Sequence, residues 1–598
     1  MRHKPRFVAI AVVGLVFAGG AHAAQDRTQN TRQMSVDRPA NTMPAVNVTV
    51  SIPTIEAKGS SIDATTLKTI LSGKEPSRFA ELATLNADSI RIPEVRIDIA
   101  STATDGKDFH YLYKDIDLEG IKNGVAQTMV TGSVDSKSGN DFDMSFGKTT
   151  SNTVDIGGIL ALYGLVPGSS DQPPKVLYGN FSLSSGTFAS PEFSCAMGSL
   201  ATGPFKARPL KTSFGDLMQI VSAPEFEKSK PSPEAITKLL GFYVDLFDGF
   251  ETSPMTISSL ECFGKGEGDK RATVKLGPLT LGAFGHERYP SIDVKNLSVV
   301  APDGQMSLGD FTLKSFDLSG PMAAIKAGMQ AGPLTPDWFA AHARDLVPAF
   351  EGFAFNDVKL DVPNVEHPTQ RVKATLADFD LSLSKYFGGV PTTISTGAHH
   401  FAFDLPAPVA GETDDYKELR DLGINSLDVG FDLKLHRDAE AKTIVVDQAS
   451  VTAENLGSVD VSGVIGHAAD ELFTGDFATT QAAAMALTLK TLRIGAVDAG
   501  FGDLVLTRAG QEQKMDLATT RASMGAVAQG VVLASFGATP SGKALSDAVG
   551  KFINGTGKTI SVTATSVDPE GLSSADLEAA QANPAALAAK VTIDATAK

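Results

Sequence analysis

Ser426-Leu427-Asp428-Val429-Gly430-Phe431-Asp432-Leu433-Lys434-Leu435 sets an apolar side chain at every second position. Successive side chains of a strand point to opposite faces of a sheet, so this stretch puts Leu427, Val429, Phe431, Leu433 and Leu435 on one face. The same alternation recurs in Val46 to Ile52, Val95 to Ile99, Lys442 to Val446 and Gly457 to Ile465. Strands of this kind, separated by turns rich in Gly, Asp, Pro and Thr, predict a mainly β protein built on long antiparallel sheet.

A two-strand unit recurs along the chain. Val95-Arg96-Ile97-Asp98-Ile99 is followed by Asp115-Ile116-Asp117-Leu118-Glu119-Gly120. Asn296-Leu297-Ser298-Val299 is followed by Lys314-Ser315-Phe316-Asp317-Leu318-Ser319-Gly320, and Lys359-Leu360-Asp361-Val362 by Asp378-Phe379-Asp380-Leu381-Ser382. In each, the polar centre of the first strand (Asp98, Ser298 or Asp361) precedes the aspartate of the second (Asp117, Asp317 or Asp380) by 19 residues. A lone hairpin cannot bury its apolar side, so these units must stack into an elongated sheet or pack on helices.

Helices are expected to cap that sheet, making the fold α+β. An apolar face of Leu67, Ile70 and Leu71 is followed by one of Phe79, Leu82 and Leu85. Ser232-Pro233-Glu234 supplies a cap, a preset φ and an early acid ahead of Ile236, Leu239, Leu240, Tyr243 and Phe247. Thr335-Pro336-Asp337 opens a second helix carrying Trp338, Phe339 and Leu346. From about Thr480 the chain becomes Ala-rich and is expected to be helical. Thr539-Pro540 then starts a helix that ends at Gly555, followed by strands at Lys558 to Ala564 and Lys590 to Asp594 around a helix at Ser574 to Ala582. The predicted organisation is a β-rich unit over 46–265, a second over 266–475 and a C-terminal α+β unit over 476–598.

The first residues carry an export pattern. Arg2, Lys4 and Arg6 precede an apolar run from Phe7 to Ala18 and the small-residue site Ala21-His22-Ala23, which predicts a signal peptide over 1–23 cleaved between Ala23 and Ala24. Residues 24–45, polar and without aromatics, read as a leader with no fixed structure. No later stretch has the roughly 20 apolar residues of a membrane span, so no transmembrane span is expected in the mature chain. The expected location is the periplasm or the cell exterior.

The net charge of −17 excludes nucleic acid as an expected partner and, being spread over scattered carboxylates, reads as a solubility device. The two cysteines, Cys195 and Cys262, are expected to form one disulfide in an oxidising compartment. On the chain-entropy model, closing a loop of about 68 residues contributes about 4 kcal/mol. No CxxC or Cys-His spacing accompanies them, so they do not read as metal ligands.

No catalytic signature emerges. There is no HExxH and no Gly-x-Ser-x-Gly, and the adjacent pair His399-His400 lies in an alternating segment, where neighbours are expected to point to opposite faces and not share a metal. Gly537-Ala538-Thr539-Pro540-Ser541-Gly542-Lys543-Ala544 fits GxxxxGK but has alanine where a phosphate loop carries a hydroxyl, and reads as a helix start. Gly264-Lys265-Gly266-Glu267-Gly268 reads as a turn. Asp117, Asp317 and Asp380 are expected to face solvent, without the DxDxDG pattern of a calcium loop. No catalytic residue, no cofactor and no metal is assigned.

The Phe-Asp-Leu-Ser type strands and the run from Phe552 to Lys598 resemble uncharacterised β-rich exported proteins of the bacterial envelope and, more distantly, the AsmA-like group. That resemblance implies a role in envelope lipid traffic and carries over no individual residue's function. The expectation is a non-enzymatic protein that binds lipid or another apolar ligand in envelope maintenance. The alternative is a structural or adhesive scaffold for other envelope proteins, since both want the same alternating strands.

Overall fold

A computed structural model describes residues 46–598 apart from 102–107, 140–141, 213–216, 218–219, 221–230, 265–270, 409–415 and 475–476. The signal peptide, its Ala23 to Ala24 cleavage site, the leader, and most of the glycine-rich turn after Phe263 therefore lie outside the described residues.

Among the described residues, 29 strands join in one sheet in which every pairing is antiparallel and each row pairs with the rows before and after it in sequence. The first rows are Val46–Ser51 with Glu56–Lys58, then β1 (Ala87–Ser101), β2 (Phe109–Ile121) and β3 (Val125–Ser138). Rows broken into short pieces follow, from Phe142–Phe146 to Leu279–Leu281. The remaining rows are β4 (Ile292–Ala301), β5 (Gly304–Leu313), β6 (Gly352–Pro363), β7 (Arg371–Phe387), β8 (Val390–Asp404), β9 (Ser426–Asp438) and β10 (Thr443–Ala453). They end with β11 (Gly457–Gly466), β12 (Thr488–Asp498), β13 (Thr559–Ser566) and β14 (Val591–Ala597).

The helices cluster along one long edge of this sheet. α1 (Ala64–Leu71), α2 (Ile156–Leu162), α3 (Pro233–Gly249), α4 (Ser319–Ala331) and α5 (Pro336–Ala341) all connect strand ends on that side. Lys417–Asp421 and the trio α6 (Phe501–Gln513), α7 (Leu517–Phe536) and α8 (Pro540–Asn554) enter from the other. The expected caps are in place: Ser232, Thr335 and Thr539 each accept a backbone N–H of the first turn, and a proline opens each of those helices. Leu67 and Ile70 of α1 are fully buried against Ile90, Ile92 and Ile121. At the other end Leu545 of α8 packs with Val562, Val591 and Ile593. α3 is anchored by a buried ion pair, Arg208 Nη2 donating to Asp245 Oδ1 at 2.8 Å.

Two expectations need correction. One sheet runs through the segments 46–265, 266–475 and 476–598, because β11 pairs with β12 along its whole length and the row of Cys262 pairs onward with Thr273–Leu276. The change in composition near Thr480 marks helices inserted between strands, and β12, with Leu492, Ile494 and Ala496 alternating, is a strand that the Ala-rich reading passed over. Only two of the three 19-residue units are neighbouring strands. β1 pairs with β2 and β6 with β7, whereas Phe316–Asp317 leaves the main sheet for a small one with Arg288–Tyr289 and Ala349–Phe350, and Asp317 accepts from the Ser319 backbone N–H at the start of α4.

A crease crosses the sheet. Asp115, Asn296, Asp357 and His400 have positive φ of 50°, 53°, 54° and 52°. These residue types tolerate the left-handed region better than most, at about 1 kcal/mol each. At each crossing the apolar parity resets: Ile292 and Val294 give way to Leu297 and Val299 in β4, and Phe353 and Phe355 to Val358 and Leu360 in β6. Glycine supplies the room. Gly309 lies opposite both Asn296 and Asp357 in the register, and a Cβ there would meet Asp357 Cβ at 2.7 Å and Asn356 Oδ1 at 2.8 Å.

Cys195 and Cys262 face each other on adjacent strands and are joined, with Cα atoms 4.0 Å apart. Replacing both by serine is expected to lower unfolding free energy by about 4 kcal/mol, or less where unfolded-state structure intervenes; chemical denaturation of the two forms measures it. Gly309→Ala should cost about 1–3 kcal/mol, because the backbone across the crease must move. Gly530→Ala, in α7 with nothing within 4 Å of the added methyl, should instead stabilise by up to about 1 kcal/mol. A shared effect of both glycine changes in thermal unfolding would contradict the crease.

Candidate functional site: an uncovered apolar sheet face

The register carries one apolar row across the sheet from β4 to β14. Val294 pairs with Phe311, Phe311 with Phe355, and Phe355 with Phe379. The row continues through Ala398, Phe431, Val451 and Val459, and ends with Ala496, Ile560 and Ala597. A parallel row runs Ile292, Leu313, Phe353, Leu381, then Thr396, Leu433, Ala449, Val461, Ile494 and Val562. One residue over, on the opposite face, the row reads Asp293, Thr312, Ala354, Asp380, Gly397, Asp432, Ser450, Asp460, Gly495 and Ser561. Ten steps at about 4.8 Å per strand make the first of these rows about 48 Å long.

Aromatic rings floor part of this face. Phe355 and Phe379 stack with centroids 5.0 Å apart, and Phe353 lies 5.3 Å from Phe379. A single sheet has two faces, and a layer must cover the apolar one for it to become a core. Here α1 covers it at the first rows and α8 at the last. Between them, among the described residues, several side chains of this face are exposed: Val451 is 60% exposed, Val459 49%, Phe401 41% and Phe431 38%. Such a continuous apolar surface exceeds what scattered surface hydrophobics require.

The polar face carries charge in place of apolar surface. Arg371 donates to Asp361 at 2.5 Å, and Lys314 bridges Asp380 and Ser382. Asp380 and Asp117 are both partly exposed, as expected of solvent-facing residues. His399 contacts Asp378 at 2.6 Å and Asp432 at 3.4 Å, and its pKa is raised, chiefly by the hydrogen bond to Asp378 and against partial burial. His400 faces Asp428 and Glu454. The expectation that these two histidines point to opposite faces fails, because the positive φ of His400 breaks the alternation and turns both toward the acidic side. Period-two reading has no sign for such a residue; Gly430 on β9, opposite the register slip, was the available hint.

Other candidates reduce to structure. Thr539 in the GxxxxGK-like stretch caps α8 through the Gly542 N–H. A cleft of about 860 Å³ lies between α4 and the Gly388-Gly389 turn, lined by Trp338, His342, Arg344 and Tyr386. Its polar groups are engaged within the protein: His342 with Asp345, Arg344 with the Phe473 carbonyl, and Tyr386 with the Phe350 carbonyl. Among the described residues no helix is long and apolar enough to cross a membrane.

If the apolar face is uncovered, Val451→Asp should change unfolding free energy by less than about 0.5 kcal/mol, as at an ordinary surface site. A charge buried under a hidden layer would cost several times more. Equilibrium denaturation of that variant separates the two.

A family model described as "Uncharacterized protein" matches residues 450–598, which run from within β10 through α6–α8 to β14. No curated protein and no solved structure matches the chain.

Proposed function

We propose that this chain is a non-enzymatic, exported binding protein of the cell envelope whose open apolar face holds the hydrocarbon part of a lipid or similar amphipathic molecule. The observation that carries the reading is the unbroken apolar row from Val294 to Ile560, left exposed at Phe431, Val451 and Val459 while the opposite row is polar. At about 25 cal/mol per Å² of apolar surface removed from water, contact along such a row is a strong driving force for ligand hydrocarbon. Nothing directional is needed from the protein, which agrees with a face of Val, Leu, Ile and Phe. The export pattern of residues 1–23 supports the envelope as the place where this happens.

Native mass spectrometry of the full chain purified from its producing cells, before and after organic extraction, tests the reading. The expected result is a labile adduct of lipid mass that is lost on extraction and is strongly reduced in a Val451→Asp, Val459→Asp double variant of unchanged melting temperature. A bare polypeptide mass for the unsubstituted protein overturns it. Envelope proteins recovered by cross-linking to that bare chain would then support the scaffold alternative.

A further inference from the structure

We propose that His400, Asp428 and Glu454 form a binding site for a divalent cation of the zinc type on the polar face, where β8, β9 and the end of β10 meet. His400 Nδ1 lies 3.2 Å from Asp428 Oδ2 and 3.8 Å from Glu454 Oε2, and the three donor atoms all fall within 4.8 Å of one another. Ligand atoms about 2.0–2.1 Å from a tetrahedral zinc are about 3.3–3.4 Å apart, so small rotamer adjustments bring this set to coordination distance with one position left for water.

Two features favour a cation over a simple ion pair. Both carboxylates converge on the same imidazole nitrogen, whose single N–H can donate fully to one of them. Among the described residues neither Asp428 nor Glu454 has a lysine or arginine partner, unlike Asp361 with Arg371 or Asp380 with Lys314. Two acids facing each other across one imidazole repel, and a divalent ion removes that repulsion while satisfying all three donors. The spacing is held by the backbone: the Glu454 N–H donates to the Asp428 carbonyl at 2.8 Å, and the register slip between Ala398 and Phe401 brings His400 over Asp428. One nitrogen and two oxygens suit zinc and its borderline neighbours better than calcium or magnesium, which take oxygen ligands alone. The site lies on the face opposite the apolar row, so it is independent of the lipid reading.

Chelator-stripped full chain titrated with zinc chloride, with bound metal counted by equilibrium dialysis, tests the site. One equivalent per chain is expected. His400→Ala and Glu454→Gln should each weaken that equivalent at least tenfold, with the circular dichroism of the metal-free form unchanged; alanine at the left-handed His400 position should lower the melting temperature of the metal-free form only slightly. His399→Ala, which alters the neighbouring imidazole alone, should retain it. Absence of binding in the unsubstituted chain, full retention in His400→Ala, or loss in His399→Ala with retention in His400→Ala overturns the proposal.

Discussion

Side-chain alternation across one continuous antiparallel sheet is the constraint from which the remaining features follow. A strand with apolar residues at every second position creates one water-avoiding face, and closure, a second sheet or a helical layer normally hides it. Among the described residues this chain does so at its two ends, where α1 and α8 lie on the sheet. Its compact clusters, such as Val244 of α3 with Met322 and Ile325 of α4, belong to helices at the edge and leave the middle rows uncovered. The stability of those rows rests on hydrogen-bonded pairing and on cross-strand neighbours such as Phe355 and Phe379.

The crease keeps that face continuous. Without a left-handed residue at the crease, strict alternation would send the apolar residues beyond Asn296 or Asp357 to the face opposite those before it. Asn296 and Asp357, with Gly309 between them, absorb one residue of alternation at a common line, so the parity change in each strand matches that of its neighbours. The local cost in backbone energy is modest beside the burial lost if one strand fell out of step.

Much of the β architecture was legible because period two is a strong signal. Leu427 to Leu435 gave β9, and Val95 to Ile99 with Asp115 to Gly120 gave the pairing of β1 and β2. Caps at Ser232, Thr335 and Thr539 were legible for an equally local reason, the side chain that replaces a missing backbone partner. What sequence reading missed depends on partners distant in sequence. The repeat around Asp317 matched in spacing but lost its strand to α4, and β12 was hidden among alanine-rich helices until its pairing with Gly457–Gly466 was seen. The meeting of His400 with Asp428 and Glu454 needed both a left-handed backbone and a register slip, neither of which residue type alone announces. Whether an alternating face is covered is likewise a property of the assembled rows and not of any one strand.

Pairing of each row with its predecessor also has a consequence for how the molecule is made. Because β7 needs only β6, and β8 only β7, the contacts that order a strand are with chain already synthesised a short distance upstream. Loop closure for these additions is small, and the polypeptide can assemble one row at a time in the order of synthesis. Each inner row presents a bare edge only until the next arrives, so mispairing is a hazard mainly at the growing end and at the first row.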